Sequence, residues 1–281
     1  MDVAACYPSG RPIQYRNRSG SAVVVGELRV ESPRVADRRP GRRAWAACYK
    51  DKGEADVRVA ESELVPEPPR LTTSLIETPV GEPNIRGLEA AAEAIRDGEV
   101  VAVPSDALYV LVADPFNLNA VAKVFEAKRR EASRSLPLLV DSLPMAEKYA
   151  VRLPSSFYLL ARRFWPGPLA VIVKASSNVP LRVTGNTGRL ALRRSASPLA
   201  SRLVKTLGTP LIATSANVSG RPTCRSGFEV LGTMDGRIRL ILDGGVIDGA
   251  AATTVDITPV QWRLIKEGAV PRNEIDACLA I

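Results

Sequence analysis

From Thr72 onward the chain alternates between two hydrophobic rhythms. Leu88, Ala91, Ala92 and Ile95 recur at helical spacing and Gly98 sits where that helix would stop, so a helix feeds the apolar run Val100–Val103. A second helix is expected after Asn117, which can cap it, with Leu118, Val121, Val124 and Phe125 on one side and Lys128-Arg129-Arg130 at its end. A third runs from Pro154 to Phe164 with Phe157, Leu160, Ala161 and Phe164 inward, and is broken by Trp165-Pro-Gly-Pro168. Ser197 and Pro198 mark the start of a fourth, whose inner face is Leu199, Ala200, Leu203, Val204 and Leu207 and whose end is Gly208. Between and after these helices, strands are expected at Leu136–Val140, Leu169–Val173, Leu190–Leu192, Pro210–Ala213, Leu240–Leu242, Thr254–Ile257 and Trp262–Ile265. Strands separated by helices over this length predict an α/β domain with a mixed, twisted sheet and flanking helices.

Residues 1–70 have a different texture. They hold seven of the 22 prolines and the pairs Arg38-Arg39 and Arg42-Arg43, and only Ser21–Val30 and Ala55–Val59 are even weakly strand-like. Pro66-Glu-Pro-Pro69 has the composition of a stiff linker. The chain is therefore expected to divide into an N-terminal extension, 1–70, and a main domain, 71–281. Whether the extension is disordered, a small accessory module or a basic arm is left open by its composition.

Composition narrows the chemistry. The net charge of +8 points to an anionic partner, either a nucleic acid or small phosphates and carboxylates. There is no histidine, which removes Ser-His-Asp and Cys-His catalysis and histidine-based metal sites. The cysteines Cys6, Cys48, Cys224 and Cys278 are widely spaced, suggesting neither a disulfide framework nor a zinc site, and a reducing cytoplasm suits them. No apolar run approaches the ~20 residues needed to span a bilayer, so no membrane association is expected.

Three polar groups fall at predicted strand or helix ends: Ser105 to Tyr109, Lys128 to Arg130, and Thr214 to Asn217 in Thr-Ser-Ala-Asn-Val-Ser-Gly220. Ligands of open α/β sheets settle in a crevice at strand ends, so these groups can converge. No Gly-rich run reaches a Gly-Lys-Ser/Thr sequence, so a nucleotide would be held by some other device. Taken alone, these residues predict a site for an anionic small molecule, a nucleotide among the candidates.

In order along the chain, Pro104-Ser-Asp-Ala-Leu-Tyr-Val-Leu111, Lys128-x-Arg130, Leu136-Pro-Leu138, Trp165-Pro-Gly-Pro-Leu169, Leu190-Ala-Leu-Arg193, Thr214-Ser-Ala-Asn-Val-Ser-Gly220, Leu242-Asp-Gly-Gly245, Thr253-Thr-Val-Asp256 and Leu264-Ile-Lys-Glu-Gly268 resemble the successive motifs of the YrdC family, in its single-domain form. The resemblance implies a twisted α/β sheet with a concave basic face. It also implies synthesis of threonylcarbamoyl-AMP from L-threonine, bicarbonate and ATP with magnesium (Mg2+), for the t6A modification of tRNA completed by a separate downstream threonylcarbamoyl transferase. Lys128, Arg130, Ser215 and Asn217 match the family's Lys-x-Arg and Ser-x-Asn pairs and would form the catalytic core. By the same resemblance Ser105, Tyr109, Arg130 and Thr214 would seat threonine, and Lys128, Arg193, Ser215, Asn217, Thr253 and Lys266 would face the nucleotide. The chain departs from the family's usual pattern at Ala107, Val110 and Lys266. Two other readings fit the charge: a YrdC-like protein, weak in catalysis, that binds double-stranded RNA or tRNA through its basic face, and a carbamoyl transferase.

Overall fold

The computed structural model describes residues 12–16, 22–29, 45–49, 57–60, 71–78 and 84–280. The chain divides into two compact units, Met1–Arg70 and Leu71–Ile281. In the first, strands β1 (Pro12–Arg16), β2 (Ala22–Arg29), β3 (Trp45–Tyr49) and β4 (Val57–Ala60) pair antiparallel in chain order. The weak strand signals at Ser21–Val30 and Ala55–Val59 thus coincide with β2 and β4, whereas the Pro66–Pro69 linker lies outside the described residues.

The second unit is built on a ten-stranded sheet. Its strands are β5 (Ser74–Glu77), β6 (Val101–Pro104), β7 (Tyr109–Ala113), β8 (Leu138–Leu139), β9 (Leu169–Lys174), β10 (Arg189–Arg193), β11 (Leu211–Ser215), β12 (Leu240–Asp243), β13 (Thr253–Asp256) and β14 (Arg263–Lys266). They lie in the order β14-β13-β9-β10-β8-β11-β7-β6-β12-β5. Parallel pairs (β12 with β5 and β6, β8 with β10, β9 with β13) occur alongside antiparallel ones, which makes the sheet mixed as predicted.

The helices are α1 (Ile85–Arg96), α2 (Leu118–Lys128), α3 (Leu143–Tyr149), α4 (Ser155–Phe164), α5 (Leu181–Thr184), α6 (Pro198–Leu207), α7 (Gly227–Met234) and α8 (Arg272–Leu279). Asn117 caps α2 by accepting from the backbone of Asn119 and Ala120, and Ser197 caps α6 by accepting from Ala200, as their side-chain chemistry foretold. The sheet's alternation sorts its side chains into two cores. Leu111, Ile212, Leu192, Val171 and Val255 pack with Val121 and Phe125 of α2, Phe157 and Leu160 of α4, Val230 of α7 and Ile275 of α8. On the opposite face Val101, Val103, Val110, Val112, Leu211, Leu240 and Leu242 pack with Leu88 and Ile95 of α1 and Leu203 and Val204 of α6.

The apolar pattern misplaces some details. Leu118 stands at the first turn of α2, 55% exposed, ahead of where that helix meets the core. Phe164 and Leu207 are half-buried at the ends of their helices. The strand expected over Leu136–Val140 is only two residues long, because the Leu136 N–H leaves the ladder and donates to the carbonyl of Val183 in α5.

Candidate functional site

The second core stops short of the full sheet. Over β7, β11, β8, β9, β13 and β14 that face opens into a cavity of about 910 Å³. Its floor carries Val110, Leu139, Ala170, Ala213, Thr254 and Ile265, several of them small, so the sheet itself leaves room for a ligand. Lys128, Arg129, Arg130, Arg134, Arg193 and Lys266 line it, and Glu131 is the only carboxylate among the described lining residues. Each end of the wall is set by a local turn.

The first turn joins β6 to β7. Ser105 Oγ donates to the carbonyl of Leu108 (2.6 Å) and accepts from the N–H groups of Ala107 (3.2 Å) and Leu108 (3.1 Å), closing a compact serine turn at the cavity edge. The second turn ends α2. Arg129 takes a left-handed conformation (φ 48°) as the helix cap, which swings Arg130 off the helix axis and toward the sheet. Arg130 Nη1 then reaches Thr214 Oγ1 at 3.4 Å and its Nη2 donates to the carbonyl of Ser135 at 2.9 Å. Burial, and then the nearby Arg134, push the Arg130 guanidinium below its ordinary value.

β11 is longer than its apolar letters suggest, since Thr214 and Ser215 still pair with Leu111 and Val110 of β7. The chain turns only at Ala216. Lys128, 2% exposed, directs its ammonium into that turn. It donates to the carbonyl oxygens of Ser215 and Asn217 (2.9 Å to the latter) and to Asn217 Oδ1 (3.2 Å). Burial, reinforced by the charge of Arg130, lowers its pKa to about 8. Arg193 leaves β10 with Nη2 2.7 Å from Asp106 Oδ1 and Nε donating to the Gly167 carbonyl at 3.1 Å, which aims it at the cavity. Ser195 also donates to Asp106, so the β6–β7 turn and the segment after β10 are tied together.

The cavity gathers Ser105, Lys128, Arg130, Arg193, Thr214, Ser215, Asn217 and Lys266 from distant parts of the sequence. Two expected members are elsewhere. Tyr109 points the other way: its hydroxyl has two acceptors within reach of its single proton, Asp243 Oδ1 (2.8 Å) and the Gly245 carbonyl (2.7 Å), and accepts from the Gly244 N–H (2.9 Å). Thr253 donates to the Val270 carbonyl (2.7 Å) and accepts from the Gly268 and Val270 N–H groups, buried in a loop staple. Its neighbour Thr254 is the one at the cavity. The signal was available in the alternation of β13: Val255 faces the first core, so Thr254 must face the other side. Arg129 and Ser219, which lie within the polar stretches at the end of α2 and after β11, also line the cavity, as do Arg134 and Thr223, loop residues that no periodic context in the sequence marks.

The Sua5, YciO and YrdC family model, which carries the description "Telomere recombination", matches residues 93–268. The chain belongs to this family. Relatives in the Sua5, YciO and YrdC family include the threonylcarbamoyl-AMP synthase of Pyrococcus abyssi, 36% identical over 190 residues that cover 67% of this chain and 56% of the relative. The Mycobacterium tuberculosis protein named putative threonylcarbamoyl-AMP synthase is 30% identical over 201 residues, covering 71% of this chain and 92% of its own. The crystal structure of P. abyssi Sua5 complexed with L-threonine superposes with a TM-score of 0.71 at 34% identity, covering 74% of this chain and 61% of that one. The chain thus spans little more than half the length of the Pyrococcus member and, at 55%, of the Bacillus subtilis one. Escherichia coli YciO, at 23% identity and a TM-score of 0.66, shares the fold.

Proposed function

We propose that this protein is a threonylcarbamoyl-AMP synthase, using L-threonine, bicarbonate and ATP with its accompanying Mg2+. The observation that carries this reading is the cavity itself, where cations from α2, β10 and β14 meet the hydroxyl-rich end of β11. The reading is supported by the P. abyssi Sua5 structure, which is complexed with L-threonine, and by the P. abyssi relative that bears the name threonylcarbamoyl-AMP synthase. In the reaction, the threonine amine adds to bicarbonate with loss of water to give a carbamate. A carbamate oxygen then attacks the α-phosphorus of ATP, the bond from that phosphorus to the bridging oxygen breaks, and pyrophosphate leaves.

Positioning and charge neutralisation dominate such a transfer, so the lack of histidine is no handicap. Arg130 and Arg193 are planar donors suited to carboxylate or phosphate. Thr214 and Ser105 supply hydroxyls at the same wall. The product would pass to a downstream transferase acting on tRNA in the cytoplasm. Incubating the protein with ATP, bicarbonate and labelled threonine should yield labelled threonylcarbamoyl-AMP and threonine-dependent pyrophosphate. Arg130→Ala should lower kcat/KM on the order of 100-fold or more. Turnover near the unsubstituted level in that variant would take Arg130 out of the site.

A further inference from the structure

Lys128 and Asn217 are matched to the family's paired motifs, yet their polar atoms have little left to offer a ligand. An ammonium has three donors, and those of Lys128 are met by the carbonyl oxygens of Ser215 and Asn217 and by Asn217 Oδ1. An asparagine side chain has two donors and two acceptor positions. Asn217 Oδ1 accepts from Ser215 Oγ at 2.6 Å and from Lys128, and Nδ2 donates to the carbonyls of Arg221 (2.6 Å) and Val218 (3.2 Å). The backbone closes the same loop, since the Ser219 N–H donates to the Lys128 carbonyl at 2.8 Å. Side chain and main chain of one residue at the end of α2 therefore grip both sides of the turn that follows β11.

Resting on the synthase reading, we infer that Lys128 and Asn217 are positioning residues, a lock that fastens the Ser215–Arg221 turn to the end of α2. Contact with the substrates falls to the groups the lock holds in place: Arg130, Thr214, Ser219 and Thr223. A phosphate seated on Lys128 would have to displace one of three protein oxygens from the ammonium of a residue only 2% exposed, and that oxygen would then lose this donor. Arg130 lies two residues beyond Lys128 and Thr214 one residue before Ser215, so releasing the lock lets the two halves of the wall move apart. A displacement of about 1 Å there is enough to cost on the order of 100-fold in rate.

The test compares the full chain with Lys128→Met, Asn217→Ala and the double variant, varying ATP and threonine separately and following amide hydrogen exchange over residues 215–221. A lock predicts that each single variant lowers kcat/KM for both substrates by a similar factor, on the order of 100-fold. It also predicts that the double variant is no worse than the poorer single, because the two residues act as one unit. The Ser219 amide should lose protection in every variant. A rise confined to the KM for ATP in Lys128→Met, additive with Asn217→Ala, would make Lys128 a phosphate ligand and overturn the inference. So would a lowered melting temperature with unchanged kinetics below it, which would leave a purely structural role, and so would unchanged Ser219 protection. Should Lys128→Met not fold, Asn217→Ala alone carries the same comparison between substrates. If the unsubstituted chain makes no threonylcarbamoyl-AMP, the synthase reading fails, while the exchange measurement, which needs no turnover, still decides the lock.

Discussion

At the scale of single residues, Tyr109 shows how a side chain can sit inside a motif and still serve the fold. Fully buried, it carries a hydroxyl that links β7 to the turn after β12 through Asp243, Gly244 and Gly245. Desolvation, together with the Asp243 carboxylate it donates to, drives its pKa well above the ordinary tyrosine value, so it stays protonated and acts as a donor. Tyr109→Phe leaves the Gly244 N–H and the Gly245 carbonyl without this partner, and should cost about 1–3 kcal/mol in a urea melt. The KM for threonine should change little in the same variant. An increase of tenfold or more with stability unaltered would return Tyr109 to the substrate site. Sequence alone could not settle its direction, because Tyr-Val-Leu-Val-Ala is apolar throughout and only the pairing register with β6 and β11 fixes which residues face which core.

At the scale of elements, α5 and the loop leaving α2 meet at Gly185, whose φ of +59° favours glycine. A Cβ there would collide with the Ser133 carbonyl oxygen and lie 2.9 Å from the Ser135 nitrogen, in the loop whose Ser135 carbonyl accepts from Arg130. Gly208, which ends α6 at a φ of +66°, has open space at the same position. Both glycine-to-alanine substitutions pay the left-handed strain of about 1 kcal/mol or more. Only Gly185→Ala must also move the 133–135 backbone. It should therefore be the more destabilising of the two in a urea melt, and the one that lowers kcat/KM; equal kinetic effects would disconnect α5 from the site. The elements that sequence made legible share this local logic: a cap such as Asn117 or Ser197, a stop such as Gly208, and an apolar face between them. Helices α3 and α7 also begin with capping serines, Ser142 and Ser226, but each is short and buries few residues, so periodicity had too little length to register. The end of β11 was hidden for the opposite reason: Thr214 and Ser215 look like turn residues, and only their pairing with β7 makes them strand.

At the scale of the whole molecule, the net charge of +8 announced an anionic partner without saying where it would bind, because charge is a sum and the site is a place. Folding resolves this by bringing Lys128, Arg129, Arg130, Arg134, Arg193 and Lys266 to one cavity with Glu131 as the counter-charge among its lining residues. Asp106 pairs with Arg193 and the lock brings no carboxylate to the others, so the cavity should still hold a positive potential over the space ATP would enter. Salt screens such a field over ~10 Å at 0.1 M and ~3 Å at 1 M. Threonine is a zwitterion and feels opposing pulls on its two ends, whereas the polyphosphate of ATP feels attraction along its length. Raising potassium chloride from about 0.05 M to about 0.5 M should therefore increase the KM for ATP severalfold and that for threonine much less, with kcat moving less than either kcat/KM. Arg134→Gln, which removes a cavity cation outside the lock, should flatten the salt dependence for ATP and leave that for threonine as it was. Equal slopes for the two substrates, or an unaltered ATP slope in Arg134→Gln, would mean that the cavity's charge is not what draws the nucleotide in.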